Sequence, residues 1–323
     1  TLDGRLTLLN PTTAGNQYSS SSSLSDNAIG SYGIKAGGAV RIKEMVAPLA
    51  GAVSTEAGQL LNIVAQTDDN LLMIEAGDND KTAISITANN NVISATGISA
   101  ETLEFGKFGK DAAIAAQAAD NQLKTVFHTG QTKSFSFSGN KITATGFQVT
   151  NLKAEDFQGT IIANLTGNKL VLDNNWNTAT NPDVQFIAAG INASGTITSA
   201  NNFGGVISVT NLGNVGATIA LHASKLLSYG IKADAFNVNG VIETEIYVNA
   251  YDQDSEKGNK SWNVQSVFGI KVDTLKADAF SGTISVNGGT SAPAFGIYAS
   301  NYNSGISSNL IGDAFDINGT IYS

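Results

Sequence analysis

The sequence predicts an all-β protein, folded as a parallel β-solenoid with irregular coils and protruding loops. Three observations support this fold class. A glycine followed by Ile or Phe recurs along the chain, and a Phe followed shortly by Gly-Thr-Ile recurs after it. Charged residues make up only 14% of the chain, against about a quarter in average proteins. An inexact repeat whose single copies are too short to bury their own apolar side chains is typical of a solenoid.

The repeat is clearest at 268–286, where Phe268-Gly269-Ile270 precedes Phe280-Ser281-Gly282-Thr283-Ile284. Three strands of about five residues with short turns need about 21–27 residues per coil. The step from Gly269 to Gly296 therefore predicts one coil, and the longer steps predict two coils or one coil with a loop. At about 4.8 Å per coil, about a dozen coils would form a rod about 60 Å long.

Apolar residues at alternating positions should face the interior and stack on their counterparts in the next coil. The motif phenylalanines are therefore predicted to form an aromatic ladder of Phe157, Phe203, Phe236, Phe280 and Phe315.

The chain divides into an N-terminal part and one long solenoid. Residues 1–31 hold a strand and a serine-rich loop that is a candidate cap, and residues 32–323 form the solenoid. The alanine-rich segment 111–126 leaves two alternatives open, a short helix or continued solenoid, because alanine is the strongest helix former. The polar stretches 173–183 and 251–263 are predicted to protrude as loops.

Composition excludes several classes of function. The chain has no cysteine, which excludes disulfides, thiolate nucleophiles and cysteine-based zinc sites. Its net charge is −9 and its only arginines are Arg5 and Arg41, so nucleic-acid binding is disfavoured. No apolar stretch is long enough for a membrane-spanning helix.

Two tryptophans and a tyrosine are the candidate binding residues. Trp176 and Trp262 lie in the two predicted loops among Asn, Thr, Ser or Lys, and Tyr251 begins the second loop. Aromatic rings beside amides hold sugars by stacking and hydrogen bonding. The alternative is that each tryptophan anchors its loop on the coil.

Asp252, Asp254 and Glu256 alternate along the second loop and are the candidate metal ligands. Their spacing resembles a calcium-binding loop, although the following glycine comes one place late for an EF-hand. The alternative is a solvated loop. No other cofactor is expected, and His128 and His222 are too far apart in sequence to suggest a shared site.

The Gly-Ile-x-Ala and Phe-x-x-Gly-Thr-Ile repeats, with turns rich in Ser, Thr, Asn and Gly, resemble the right-handed parallel β-helix of bacterial surface proteins. These include autotransporter passengers and filamentous-haemagglutinin-like adhesins. The resemblance implies secretion to the cell surface or medium, and adhesion or scaffolding through a glycan or cell-surface partner. The alternative is a polysaccharide lyase or glycoside hydrolase on the same scaffold. We expect a structural or adhesive protein and not an enzyme, because both arginines lie within the first 41 residues and a central basic cleft is hard to assemble.

The ends of the chain carry one further expectation. The last repeat, Phe315 to Ser323, stops directly after a motif strand, which would leave an open coil. The chain is therefore expected to be a segment of a longer surface or filament-forming protein, or to associate end to end.

Overall fold

The computed structural model describes residues 5–9, 21–23, 25–45, 62–76, 83–127, 132–172, 184–213, 225–252, 264–288, 294–299, 316–317 and 320–322. All 26 regular elements in these ranges are β-strands. Every pairing between them is parallel. The prediction of an all-β protein with parallel strands is therefore confirmed.

The strands form five sheets, of which two are large. The nine-stranded sheet contains β3 (Ala28–Lys35), β4 (Ala39–Met45), β8 (Val92–Phe108), β12 (Asn140–Phe157), β15 (Val184–Ala193), β16 (Thr196–Ser199), β18 (Lys225–Val238), β21 (Val264–Lys276) and β24 (Ala294–Ala299). The seven-stranded sheet contains β5 (Asn62–Asp68), β9 (Ala113–Ala119), β13 (Thr160–Thr166), β17 (Val206–Gly213), β20 (Glu245–Asp252), β23 (Thr283–Asn287) and β26 (Thr320–Tyr322).

Three smaller sheets complete the described strands. The four-stranded sheet contains β1 (Arg5–Leu9), β6 (Leu71–Ala76), β10 (Gln122–Phe127) and β14 (Lys169–Leu172). One three-stranded sheet contains β2 (Ser21–Ser23), β7 (Ala83–Thr87) and β11 (Thr132–Ser136). The other contains β19 (Val241–Ile242), β22 (Ala279–Phe280) and β25 (Asp316–Ile317).

Within each sheet the strands follow one another in chain order, so successive stretches of chain lie over one another in layers. Thr145 pairs with Ala189 and Phe147 with Ile191, which places Gly146 directly opposite Gly190. The step from Gly146 to Gly190 is therefore one layer. Of the two predicted alternatives, two coils or one coil with a loop, the first is wrong for this step. Early layers are longer because they also supply strands to the smaller sheets.

Each layer contributes one strand to the seven-stranded sheet, so this sheet gives the number of layers. At about 4.8 Å per strand, seven strands span only about 30 Å. The expected dozen coils and 60 Å rod are therefore wrong for the described residues, because the coil length was underestimated.

The alanine-rich segment is not helical. It forms β9 and β10 in place of the helix that was one alternative for 111–126. Ile114, Ala116 and Ala118 are fully buried on one side of β9, and both neighbours, β5 and β13, pair with it along its length. Pairing on both edges outweighs the helix propensity of alanine, which is a weak preference.

The serine tract is also more ordered than expected. Ser21–Ser23 form β2 and pair with Ser85, Ile86 and Thr87 of β7, in place of the predicted serine-rich loop. The neighbouring layer supplies the backbone partners that serine propensity alone does not predict.

The aromatic ladder is present in part. Phe157 and Phe203 are paired and stacked, with ring centroids 4.1 Å apart, and Phe280 continues the same column through Ile242. Phe236 lies instead in the adjacent column, between Ile197 and Leu275, and meets Phe203 edge-on. Phe315 lies outside the described residues.

A column of glycines runs through the nine-stranded sheet at the motif position. A Cβ at Gly97, Gly146, Gly190 or Gly230 would overlap the Cγ2 of an isoleucine in the seven-stranded sheet and approach the carbonyl oxygen of the next glycine. Glycine is required here by close approach and not by a turn, because the two large sheets come within contact at this line.

Two ladders of buried asparagines stabilise the turns. Asn91 and Asn140 are linked by a hydrogen bond of 2.9 Å, and Asn70, Asn121 and Asn168 are linked by bonds of 2.7 and 2.8 Å. Each ladder asparagine follows a residue with positive φ, namely Asn90, Gly139, Asp69, Asp120 and Gly167. Asn, Asp and Gly are the residues that adopt this conformation at least cost.

Candidate functional site

Most of the residues predicted as sites lie outside the described part of the chain. This holds for Trp176, Trp262, Asp254 and Glu256, and also for His128 and His222. Tyr251 and Asp252 were predicted to begin the protruding loop 251–263, but they end β20 instead, because Leu212 and Gly213 of β17 supply their backbone partners. Within the described ranges, no group of three His, Cys, Asp or Glu side chains is placed to hold a metal ion.

The structure instead shows a groove on the outer side of the nine-stranded sheet. It has a volume of about 690 Å³ and crosses successive layers from β4 to the turn after β18. Most of its lining residues are polar or charged, with Thr198, Ser199 and Asn239 at one end. At the other end, Gly106 lies against the backbone of Lys43, where a Cβ would meet the carbonyl oxygen of Lys43. A side chain in place of Gly106 would therefore push these two layers apart.

A three-residue ion cluster lies in this groove. The Nε of Arg41 donates to Oε2 of Glu104 at 2.6 Å, and the Nζ of Lys153 donates to Oε1 at 3.3 Å. Register explains the cluster, because Arg41, Glu104 and Lys153 occupy the same position in three adjacent strands. Lys43 and Glu155 also line the groove, which gives three basic and two acidic side chains.

The cluster sets the ionisation of Glu104. The hydrogen bond from Arg41, and then the one from Lys153, hold the pKa of Glu104 below its usual value. Glu104 is therefore a carboxylate at neutral pH and unsuited to donate a proton as a general acid.

We expect Arg41→Gln to raise the pKa of Glu104, because this change removes the largest cause of its low value. A folded-state pKa below the unfolded value means that the ion cluster is complete above the unfolded pKa and is lost as pH falls through the folded pKa. NMR titration of the Glu104 carboxyl carbon measures this pKa in the folded wild type and in the folded Arg41→Gln variant. Lys276→Gln is the control and should leave the titration unchanged, because Lys276 is exposed in the same column but four strands beyond Glu104, about 19 Å away at the strand spacing.

A second cluster joins aromatic rings and lysines further along the same sheet. The rings of Tyr229 and Phe268 stack with centroids 5.6 Å apart, and Tyr298 meets Phe268 edge-on at 5.4 Å. The Nζ of Lys271 lies 4.7 Å from the centre of the Phe268 ring. Tyr229 and Phe268 are only 7% and 5% exposed, so their faces are not open for a ligand to stack on.

Burial is the largest cause of the pKa shifts of Tyr229 and Lys271 in this cluster. It raises the pKa of Tyr229 and lowers that of Lys271, whose pKa is lowered further by the nearby Lys232. A hydrophobic cluster covered by lysine side chains is the simplest description of this region.

Sequence reasoning missed both clusters. The ion cluster joins residues 41, 104 and 153, and no local pattern shows that they share a column. The aromatic cluster had a visible signal, because Tyr229-Gly230-Ile231-Lys232 and Phe268-Gly269-Ile270-Lys271 are two copies of one motif. The first copy, Tyr32-Gly33-Ile34-Lys35, places Lys35 over the Tyr32 ring at 4.2 Å.

In the described residues the structure contains no helix that is long and apolar enough to span a membrane. A scan against protein-family models, a search of curated proteins and a search of solved structures each find no match to this chain.

Proposed function

We propose that this chain is a right-handed parallel β-solenoid that acts as a structural or adhesive rod at a bacterial cell surface or in the medium. The observation that carries the proposal is the register of the two large sheets, in which the same position recurs in successive layers. Stacking of this kind gives a rigid scaffold whose layers contact only their neighbours. It also repeats each outward side chain along one axis, which suits contact with an extended partner.

The interior supports a scaffold role. Buried columns of isoleucine, phenylalanine and asparagine run from layer to layer, and the largest buried side chains are mostly phenylalanines of these columns. Neighbouring layers share the columns of the two large sheets, so pulling on one layer loads the next through both packing and backbone hydrogen bonds.

The outer surfaces support adhesion to a glycan or a cell-surface partner. The groove and the outward sheet faces are lined by hydroxyl, amide and charged side chains, which are the groups that hydrogen-bond to sugars. The low pKa of Glu104 disfavours this carboxyl as the acid of a hydrolase.

We also propose that copies associate end to end. In the nine- and seven-stranded sheets, β3 and β5 lie at one edge and β24 and β26 at the other. Edge strands present backbone groups that can pair with another chain. Sedimentation velocity should show larger species as concentration rises, and a single species at every concentration would contradict this association.

The function is tested by incubating the whole chain with a panel of neutral and acidic polysaccharides and measuring both retention and product. We expect retention on at least one polymer, with no sustained release of reducing ends or unsaturated sugars. Sustained release of either product would overturn the proposal in favour of a lyase or hydrolase. Lack of retention on every polymer would contradict adhesion to glycans.

A further inference from the structure

The outward side of the seven-stranded sheet differs in its charge from that of the nine-stranded sheet. Side chains alternate strictly along these strands: in β13, Ile161, Ala163 and Leu165 are fully buried, and the residues between them point outward. We call this outward side the amide face, after the column Gln66, Gln117, Asn164, Thr210, Asn249 and Asn287.

The seven strands of this sheet contain no lysine or arginine. The nine-stranded sheet contains ten of the 18 basic residues, one each in β3 and β8 and two each in β4, β12, β18 and β21. The acidic residues of the seven strands are Asp68, Glu245 and Asp252. Two of them are hydrogen-bonded within the face, Asp68 to Gln66 and Glu245 to the hydroxyl of Tyr247. These hydrogen bonds leave the carboxylates charged, so the seven strands carry a few acidic groups and no basic group that could attract an acidic polymer.

The face is regular and accessible. Its columns repeat at the strand spacing, and the Nδ2 of Asn287 donates to Oδ1 of Asn249 at 3.0 Å. Tyr247 is 42% exposed and Val64 is 53% exposed. Seven strands of about seven residues give a surface of about 30 by 20 Å, or about 600 Å².

These properties favour a neutral polysaccharide over a second copy or another protein. Two such faces would bury about 1,200 Å², the lower limit for a stable protein interface, and each copy is acidic, so repulsion opposes the pair. Protein interfaces are also enriched in Arg, Met and aromatic residues and depleted in Ser. Amides and hydroxyls that match uncharged sugar hydroxyls, with an exposed tyrosine ring for stacking, fit a neutral polymer.

We propose that the amide face binds a neutral polysaccharide, whose chains lie against the columns of Asn, Gln, Thr and Ser with Tyr247 stacked on a sugar ring. This inference rests on the proposed adhesive function and names its contact surface and ligand class. The charged groove around Arg41, Glu104 and Lys153 is the competing surface, and it would select an acidic polymer.

The test measures retention of the whole chain on particles of cellulose, chitin, xylan and mannan, with immobilised polygalacturonate as the acidic comparison. Thr210→Lys places a charge in the centre of the amide face, and Tyr247→Ala removes the exposed ring. Thr143→Lys is the matched control, because Thr143 is a half-buried, outward residue of β12 in the other large sheet. Circular dichroism and thermal melts establish that each variant is folded.

We expect retention of the wild type on at least one neutral polymer, with little change between low and high salt, because uncharged contacts are not screened. Thr210→Lys should weaken retention about tenfold, because binding would bury an unpaired charge. Tyr247→Ala should weaken it as well, and Thr143→Lys should not.

Three results would overturn the inference. The first is no retention on any neutral polymer, and the second is equal weakening by Thr143→Lys and Thr210→Lys. The third is retention on polygalacturonate alone that is lost in Arg41→Gln, which would assign binding to the groove and leave the adhesive function standing. Lack of retention on every polymer would contradict both the inference about the amide face and the proposed adhesion to glycans.

Discussion

Gly190→Ala is expected to destabilise the protein by about 3 kcal/mol, near the upper end of the usual cost of overpacking. A Cβ at this position would overlap Cγ2 of Ile207 and lie 2.7 Å from the carbonyl oxygen of Gly230. Both obstacles are held in place, since Ile207 is fully buried and Gly230 belongs to the next strand. Denaturant unfolding followed by circular dichroism measures the loss.

Gly204→Ala is the matched control. Gly204 is also buried, but the nearest atom to an added Cβ is the carbonyl oxygen of Phe157 at 3.5 Å, an ordinary contact. We expect this variant to be as stable as the wild type or slightly more so, because alanine restricts the unfolded chain. Equal stability of the two variants would show that the glycine column is not set by close approach of the sheets.

Asn121→Ala is expected to cost about 3–5 kcal/mol, because each buried polar group left without a partner costs about 1–3 kcal/mol. Oδ1 of Asn121 accepts from the backbone and side-chain nitrogens of Asn70, at 3.1 and 2.7 Å. Its Nδ2 donates to Oδ1 of Asn168 and to the carbonyl oxygen of Thr67. Both ladder neighbours are fully buried, so the groups that lose these bonds lie away from bulk solvent.

Asn192→Ala provides the comparison, because Asn192 also bonds to the next layer but does so at the surface. Its Nδ2 donates to Oε1 of Gln148 at 2.8 Å in an exposed position. We expect a loss of about 0.5 kcal/mol or less for this variant, as for most surface changes. If Asn121→Ala and Asn192→Ala melt at the same temperature, the buried ladder does not stabilise the turns.

That the chain is all-β with parallel strands could be predicted because the repeat is visible in local patterns. Alternation of Ile and Val with polar residues indicates strands wherever it occurs, and a glycine followed by Ile or Phe marks one position in each layer. The length of a layer could not be predicted in this way. It depends on how many strands join the smaller sheets, and β6, β7, β10 and β11 have no motif residue that assigns them to a layer.

The strand at the alanine-rich segment and the two side-chain clusters could not be predicted for a different reason. Ala113 to Ala119 are strand residues only because β5 and β13 pair with them, and partners from distant sequence are invisible to propensity. Arg41 lies so near the start of the chain that the sequence did not predict it in a central basic cleft. Stacking places it beside Glu104, 63 residues later. The candidate residues Trp176, Trp262, Asp254 and Glu256 lie outside the described residues and stay predictions.

Distances between spin labels on the amide column test the layered arrangement most directly. The chain has no cysteine, so Gln66→Cys with Asn287→Cys introduces two labelling sites and no others. These positions lie five layer steps apart in one column, which predicts a distance of about 24 Å from the 4.8 Å spacing. Gln117→Cys with Asn287→Cys should give about 19 Å, one step less. Double electron–electron resonance measures both pairs. Two narrow distributions that differ by about one strand spacing are the predicted result. Distances beyond about twice these values, or equal for the two pairs, would contradict the parallel stack.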